Sequence, residues 1–234
     1  MKNWFARPLT PREVTPGVTR LGSERVSFYA LTEGRSITLV DCGFYGHLRY
    51  LEEWLTHTGR TVTDIEAVVI THGHADHLGF AAVLSARGVP VLVPEGDLAI
   101  ARTTDVRAPP VRLRRRLWRP SCLALFAEAT LDGVFAQPAV ERAVGYAPGA
   151  TLDVPGRLRA VHVPGHSRGN CSLEYPAGLA LFTGDTLMTR DPMGTATGPH
   201  VFAEHPGRNA EAFENLALLA PYGGHALLPA LGCG

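Results

Sequence analysis

Lysine is nearly missing from this chain. Of 22 basic residues only Lys2 is a lysine, and because arginine is a poor general substitute for it, lysine-dependent mechanisms are removed from the body of the protein. An excess of either charge is missing too. The 22 acidic residues balance the 22 basic ones, so nothing global points to nucleic acid. The four cysteines, Cys42, Cys122, Cys171 and Cys233, show no CxxC spacing, which argues against both a zinc ribbon and a disulfide framework. Buried free thiols are expected instead. No window reaches the roughly 18 apolar residues of a membrane helix, and "MKNWFARPLTPREV" has no apolar run of signal-peptide type. A cytoplasmic protein without a membrane partner is expected.

What is present suits one globular unit. The 234 residues, 45% hydrophobic and 19% charged, are expected to form a single domain over 1–234 with a substantial core. "GVTRL", "RVSFYALTE" and "RSITLVDCG" read as a β-meander turning at Glu33-Gly34. "HLRYLEEWLTHTG" has Leu48, Leu51 and Leu55 at helical spacing, with Trp54 beside them and Gly59 as a stop. "IEAVVIT", apolar but for Glu66 and the closing Thr71, reads as a strand, "HLGFAAVLSARG" predicts a helix from near Asp76 to Gly88, and "VPVLVP" is the next strand. Strands resume with "TLDV", "LRAVHVP", "CSLEYP", "LALFTGD" and, after a helix over "NAEAFENLALLAPYG", "HALLPALGCG". The order is that of an α/β layered fold.

Residues 97–150 are less regular and read as a helical lid insertion. Within them "RLRRRLWRP" carries Arg112, Arg114, Arg115, Arg116 and Arg119 among Leu113, Leu117 and Trp118, as an amphipathic helix ended by Pro120. The preferred reading is a solvated face; the alternative is a lid that attracts an anionic substrate.

The chemistry concentrates in "ITHGHADHLG". His72 and His74, two positions apart in an extended segment, project to one side and can grip one ion. Asp76 and His77, at the start of the following helix, turn elsewhere and suit a second. "VHVPGHSRGNCSL" and "LALFTGDTL" place His166 and Asp185 on loops at strand ends, as "IEAVVIT" does for His72. His72, His74 and His166 would make a three-histidine site with an open position, the pattern of a catalytic zinc. Asp76 and His77 would hold the second metal, with Asp185 between the two. Asp41 reads as a brace for these loops, and His47, His57 and His162 as structural.

In "THGHADHLG", "PGHSRGNCS" and "TGDTL", with "LVDCG" as weaker support, the chain resembles the metallo-β-lactamase superfamily across roughly residues 18 to 232. The resemblance implies a four-layer αβ/βα sandwich with metals at one edge between two sheets. It implies one or two Zn2+ per chain, with Fe or Mn as alternatives, and a hydrolase acting on a small-molecule substrate. In that mechanism metal-bound hydroxide attacks an ester, thioester or lactone carbonyl while Asp76, the catalytic residue, orients it. Nucleic acid is not expected as a partner, and the oligomeric state is left open, a homodimer included. The chain departs from the family at "PALG", where Leu231 takes the place of a usual histidine ligand. A shift of two residues offers Cys233, whose thiolate binds zinc well, so the second site is expected to be weaker. An iron persulfide dioxygenase and a weakly active or non-catalytic member are the alternatives.

Overall fold

The computed structural model describes residues 8–103, 120–177, 180–187 and 226–230. The chain opens as an antiparallel meander in which β1 (Arg12–Thr15), β2 (Val18–Gly22), β3 (Ser27–Glu33) and β4 (Ser36–Val40) pair in order. Gly34, at φ 62°, makes the tight β3–β4 turn, a backbone state that glycine adopts at little cost. Connections then cross over. The helix α1 (Leu48–His57) precedes β5 (Ile65–Val69), and the short helices α2 (Ala75–Leu78) and α3 (Ala81–Ala86) precede β6 (Val91–Pro94), so β5 and β6 join in parallel. After α4 (Leu98–Ala101) and α5 (Pro120–Leu131), β7 (Val144–Tyr146) completes a seven-stranded sheet in the order β1 to β7. A second sheet has the order β11-β10-β9-β8, built from β8 (Arg159–His162), β9 (Cys171–Tyr175), β10 (Ala180–Gly184) and β11 (Ala226–Pro229).

The apolar runs of β3 and β5 follow from burial on both faces. Phe28 and Ala30 of β3 pack on the helix side with Leu51, Leu55 and Leu84, whereas Tyr29 and Leu31 face Leu158, Leu173 and Phe182 of the second sheet. In α1, Tyr50, Leu51, Trp54 and Leu55 are buried while Glu52 and Glu53 face solvent. Full burial of a residue such as Leu51 contributes roughly 1.5–3 kcal/mol. Helix, sheet and sheet are thus stacked in the order expected of an αβ/βα sandwich. The expected closing helix over "NAEAFENLALLAPYG" and the arginine segment before Pro120 lie outside the described residues. No helix among the described residues is long and apolar enough to cross a membrane.

Two local expectations are corrected. The helix expected over 76–88 is two pieces, broken where Gly79 leaves the helical conformation at φ 6° and ψ −98°, at a point where any side chain would collide with the backbone of Cys42, Gly43 and Phe44. Pro120 is the first residue of α5, where its missing N–H costs nothing. "TLDV" forms no strand, only an isolated bridge from Thr151 to Arg159.

The parallel strands set where chemistry can occur. β4, β5 and β6 run into Asp41, Thr71–His77 and Asp97 at one edge, and β10 brings Asp185 to the same edge from the other sheet. The sheets are tied there by hydrogen bonds from Cys171 N to Thr71 O (3.0 Å) and from Tyr29 Oη to Pro229 O (2.6 Å).

Candidate metal centre

Beyond β5 the chain bends through residues 71–74, and His74, extended at φ −82° and ψ 157°, precedes the first turn of α2. This loop brings the His72 and His74 rings within 4.6 Å of each other. The loop between β8 and β9 brings His166 to them. His72 Nε2, His74 Nδ1 and His166 Nε2 form a triangle with sides of 3.0, 2.8 and 3.0 Å. A ring nitrogen carries either a proton or an in-plane lone pair, never both, so three nitrogens cannot close a ring of hydrogen bonds. Lone pairs converging on one point need a cation. Nitrogens at about 2.0–2.1 Å from a tetrahedral zinc stand about 3.3 Å apart, close to these separations. The donor set fits a transition metal.

A second group adjoins the first. His77 Nε2 lies 3.3 Å from Asp185 Oδ1 and 3.8 Å from Asp76 Oδ2, and His166 Nε2 lies 3.4 Å from Asp185 Oδ2. Asp185 therefore stands between the two groups. His72, His77 and Asp185 are close enough to share an ion, as are His72, His74 and His166. Asp76 is farther out and its side chain is 22% exposed, which puts it with half-buried His74 on the open side of the centre.

The surrounding hydrogen bonds dictate where the protons sit. Asp41, buried with φ 61°, accepts from Thr71 N (2.8 Å), the Thr71 hydroxyl (2.9 Å) and His77 Nδ1 (2.9 Å). His77 thus keeps a proton on Nδ1, and its Nε2 faces Asp185. The Thr71 hydroxyl, having given its proton to Asp41, accepts from His72 Nδ1 at 3.2 Å. His72 in turn presents Nε2 to the triangle. Burial, reinforced by His77, His166 and His74, holds His72 well below the ordinary imidazole pKa, so it stays neutral and able to bind a metal. For His77 burial acts in the same direction, but Asp41, Asp185 and Asp76 outweigh it and raise its pKa well above the usual value in the metal-free state.

Asp97 is a site residue that the sequence did not reveal. Fully buried beyond β6, it accepts from Gly73 N (2.9 Å), Ser167 Oγ (2.5 Å) and Gly169 N (2.8 Å). It thereby clamps the loop of His72 and His74 to the loop of His166. Its signal was available: an acid just beyond a strand end, in "VPEGD", on the edge that carries the histidines. Asp41 has the bracing contacts expected of it. Cys42 and Cys171 are buried free thiols and Cys122 is buried too, and His57 and His162 are exposed and apart from the centre. Cys233 and Leu231 lie outside the described residues.

A family model described as the metallo-beta-lactamase superfamily matches residues 21–229. A hydroxyacylglutathione hydrolase of Cupriavidus taiwanensis is 29% identical over 171 residues, 68% of this chain and 48% of that protein. An atrochrysone carboxyl ACP thioesterase of Aspergillus terreus is 26% identical over 164 residues, 68% of this chain and 38% of that one. The chain thus spans about half, or less, of the length of these curated relatives. Among solved structures, a metallo-beta-lactamase family protein from Thermus thermophilus superposes with a TM-score of 0.66 at 22% identity, covering 94% of this chain and 74% of that one. The metallo-beta-lactamase SMB-1 in complex with mercaptoacetic acid gives 0.67 at 15%, covering 98% and 82%. At such identities the structural likeness speaks for the fold.

Proposed function

The chain belongs to the metallo-beta-lactamase superfamily, and from that membership and the centre at its sheet edge we infer a metal-dependent hydrolase of small-molecule esters, thioesters or lactones. The observation that carries this reading is the closed triangle of imidazole nitrogens beside His77 and Asp185. His72, His74 and His166 would hold one ion, and Asp76, His77 and Asp185 a second, with zinc the best match to nitrogen and carboxylate donors. The ions would supply a water nucleophile at neutral pH and polarise the carbonyl under attack.

The protein's own residues do the rest. Asp41 and Thr71 fix the tautomers of His77 and His72, so both rings direct Nε2 inward. Asp76, on the open side, is the acceptor for the proton of the attacking water and holds that water toward the substrate. Thioesters are the favoured class, since one relative is named a thioesterase. The near absence of lysine means that any anionic substrate group would be held by arginine.

The test pairs metal content with turnover. Zinc-loaded protein offered thioesters, lactones and aryl esters should hydrolyse at least one class, thioesters fastest. The His72→Ala, His74→Ala double variant should lose both zinc at this centre and hydrolysis. Full activity in that variant would overturn the assignment.

A further inference from the structure

A second buried cluster lies away from this centre, where the loop after β4 meets α5. His47 ends a short 3-10 turn, Tyr45–His47, and is fully buried. Its ring points at Glu128 and Asp132, which lie one helical turn apart at the end of α5 and are also buried. Nε2 of His47 is 3.4 Å from Asp132 Oδ2 and 3.7 Å from Glu128 Oε1. Among the described residues neither ring nitrogen of His47, nor Asp132 Oδ2, has a partner at good hydrogen-bond geometry, although His47 and Asp132 attract each other as an ion pair. Buried polar atoms in folded proteins rarely go unmet.

The two arginines bind the carboxylate oxygens that face away from His47, and the Ser23 hydroxyl shares Glu128 Oε1 with it. Arg25 donates to Glu128 Oε2 at 2.9 Å and Arg49 to Asp132 Oδ1 at 2.8 Å, while the Ser23 hydroxyl donates to Glu128 Oε1. A direct charged hydrogen bond from a protonated His47 would close to about 2.7–2.9 Å. The observed gaps are wider. They match two ligand atoms on one ion, since donors at about 2.0–2.1 Å from zinc stand about 3.3 Å apart. All three candidate ligand atoms lie within 4.8 Å of one another.

We propose that His47, Glu128 and Asp132 form a second, structural site for a first-row divalent cation, held by His47 Nε2, Glu128 Oε1 and Asp132 Oδ2. One nitrogen and two carboxylate oxygens suit zinc or manganese. Arg25 and Arg49 orient the carboxylates from outside, as partners of metal ligands commonly do. Their positive charges also oppose the cation, so this site fills after the histidine centre. Its role is to pin α5 to the loop Cys42–His47, whose Gly43 lies directly against the His47 ring. That loop continues from Asp41, the acceptor for His77. The proposal does not depend on the hydrolase reading.

The test separates the two sites with full-length protein. In the His72→Ala, His74→Ala variant, which leaves Asp76, His77 and Asp185 of the first centre in place, zinc titrated alone should bind and raise the melting temperature, and the loss on further substitution assigns the share held by the second cluster. Adding either His47→Gln or the near-isosteric Glu128→Gln should remove one equivalent of bound zinc and abolish most of that rise. Each substitution is informative by itself, so failure of one to fold leaves the other to decide. The proposal is overturned if zinc neither binds nor stabilises the His72→Ala, His74→Ala variant, which would make the cluster a buried charge network only. Equal zinc content with and without Glu128→Gln would overturn it as well.

Discussion

Replacing Asp97 with alanine removes the acceptor of three buried hydrogen bonds, two from backbone N–H groups and one from a hydroxyl. A buried donor left without a partner costs about 1–3 kcal/mol. Three give roughly 3–6 kcal/mol once water enters the space left behind, a large share of the about 5–15 kcal/mol that holds a typical domain together. Asparagine should do less harm. If its oxygen takes the position facing Gly73 and Ser167, its amide meets the N–H of Gly169, leaving a single mismatch worth about 1–3 kcal/mol. The loops of His72, His74 and His166 are held together through these same bonds, so zinc affinity should fall about 10- to 100-fold, as when partners behind metal ligands are removed. Urea unfolding of the zinc-free protein and competitive zinc titration measure the two effects. An unchanged urea midpoint together with unchanged zinc affinity in Asp97→Ala would refute the clamp.

Other substitutions probe separate parts of the edge. Gly79→Ala should destabilise by more than the about 1–3 kcal/mol of ordinary overpacking, because the obstacles are backbone atoms of Cys42, Gly43 and Phe44; a thermal melt within 1 °C of the parent's, allowing for ~1 °C scatter, would contradict this. Thr71→Val removes the hydroxyl between Asp41 and His72 and should cost roughly tenfold in zinc affinity with the fold retained, which chelator competition and circular dichroism would check. Burial pushes the Cys171 thiol up to about 12 and the Cys42 thiol well above its usual range. The unfolded chain therefore loses these protons first as pH rises, so their contribution is complete below about pH 9 and declines above it. Cys171→Ala should flatten that alkaline decline in pH-dependent unfolding, and native protein at pH near 8 should resist alkylation at both thiols.

What the sequence disclosed depends on how local each cause is. The double-sided burial of β3 is written in the unbroken apolar run over residues 28–31, that of β5 in a run interrupted only by the exposed Glu66, and the metal-type residues stand at spacings that only a loop and one helical turn need explain. The break between α2 and α3 was not legible, since its cause is the backbone of Gly43, reached only after folding. β7 is three residues long and takes its identity from pairing with β6. Asp97 finds its partners 24 and 72 residues away. His47 reads as a structural histidine until α5 brings Glu128 and Asp132 against it.

The triangle of nitrogens also bears on the order of events in folding. His72 and His166 are separated by 94 positions in the chain, and they belong to loops of different sheets. Closing so long a loop carries an entropic penalty that an ion cannot offset until both loops are in place. Metal capture at this centre therefore follows the docking of the sheets instead of nucleating it. An interaction that forms so late acts mainly on the rate of unfolding, and a metal bound at this edge would be in effect a latch, slowing the opening of a molecule that must first have closed by itself.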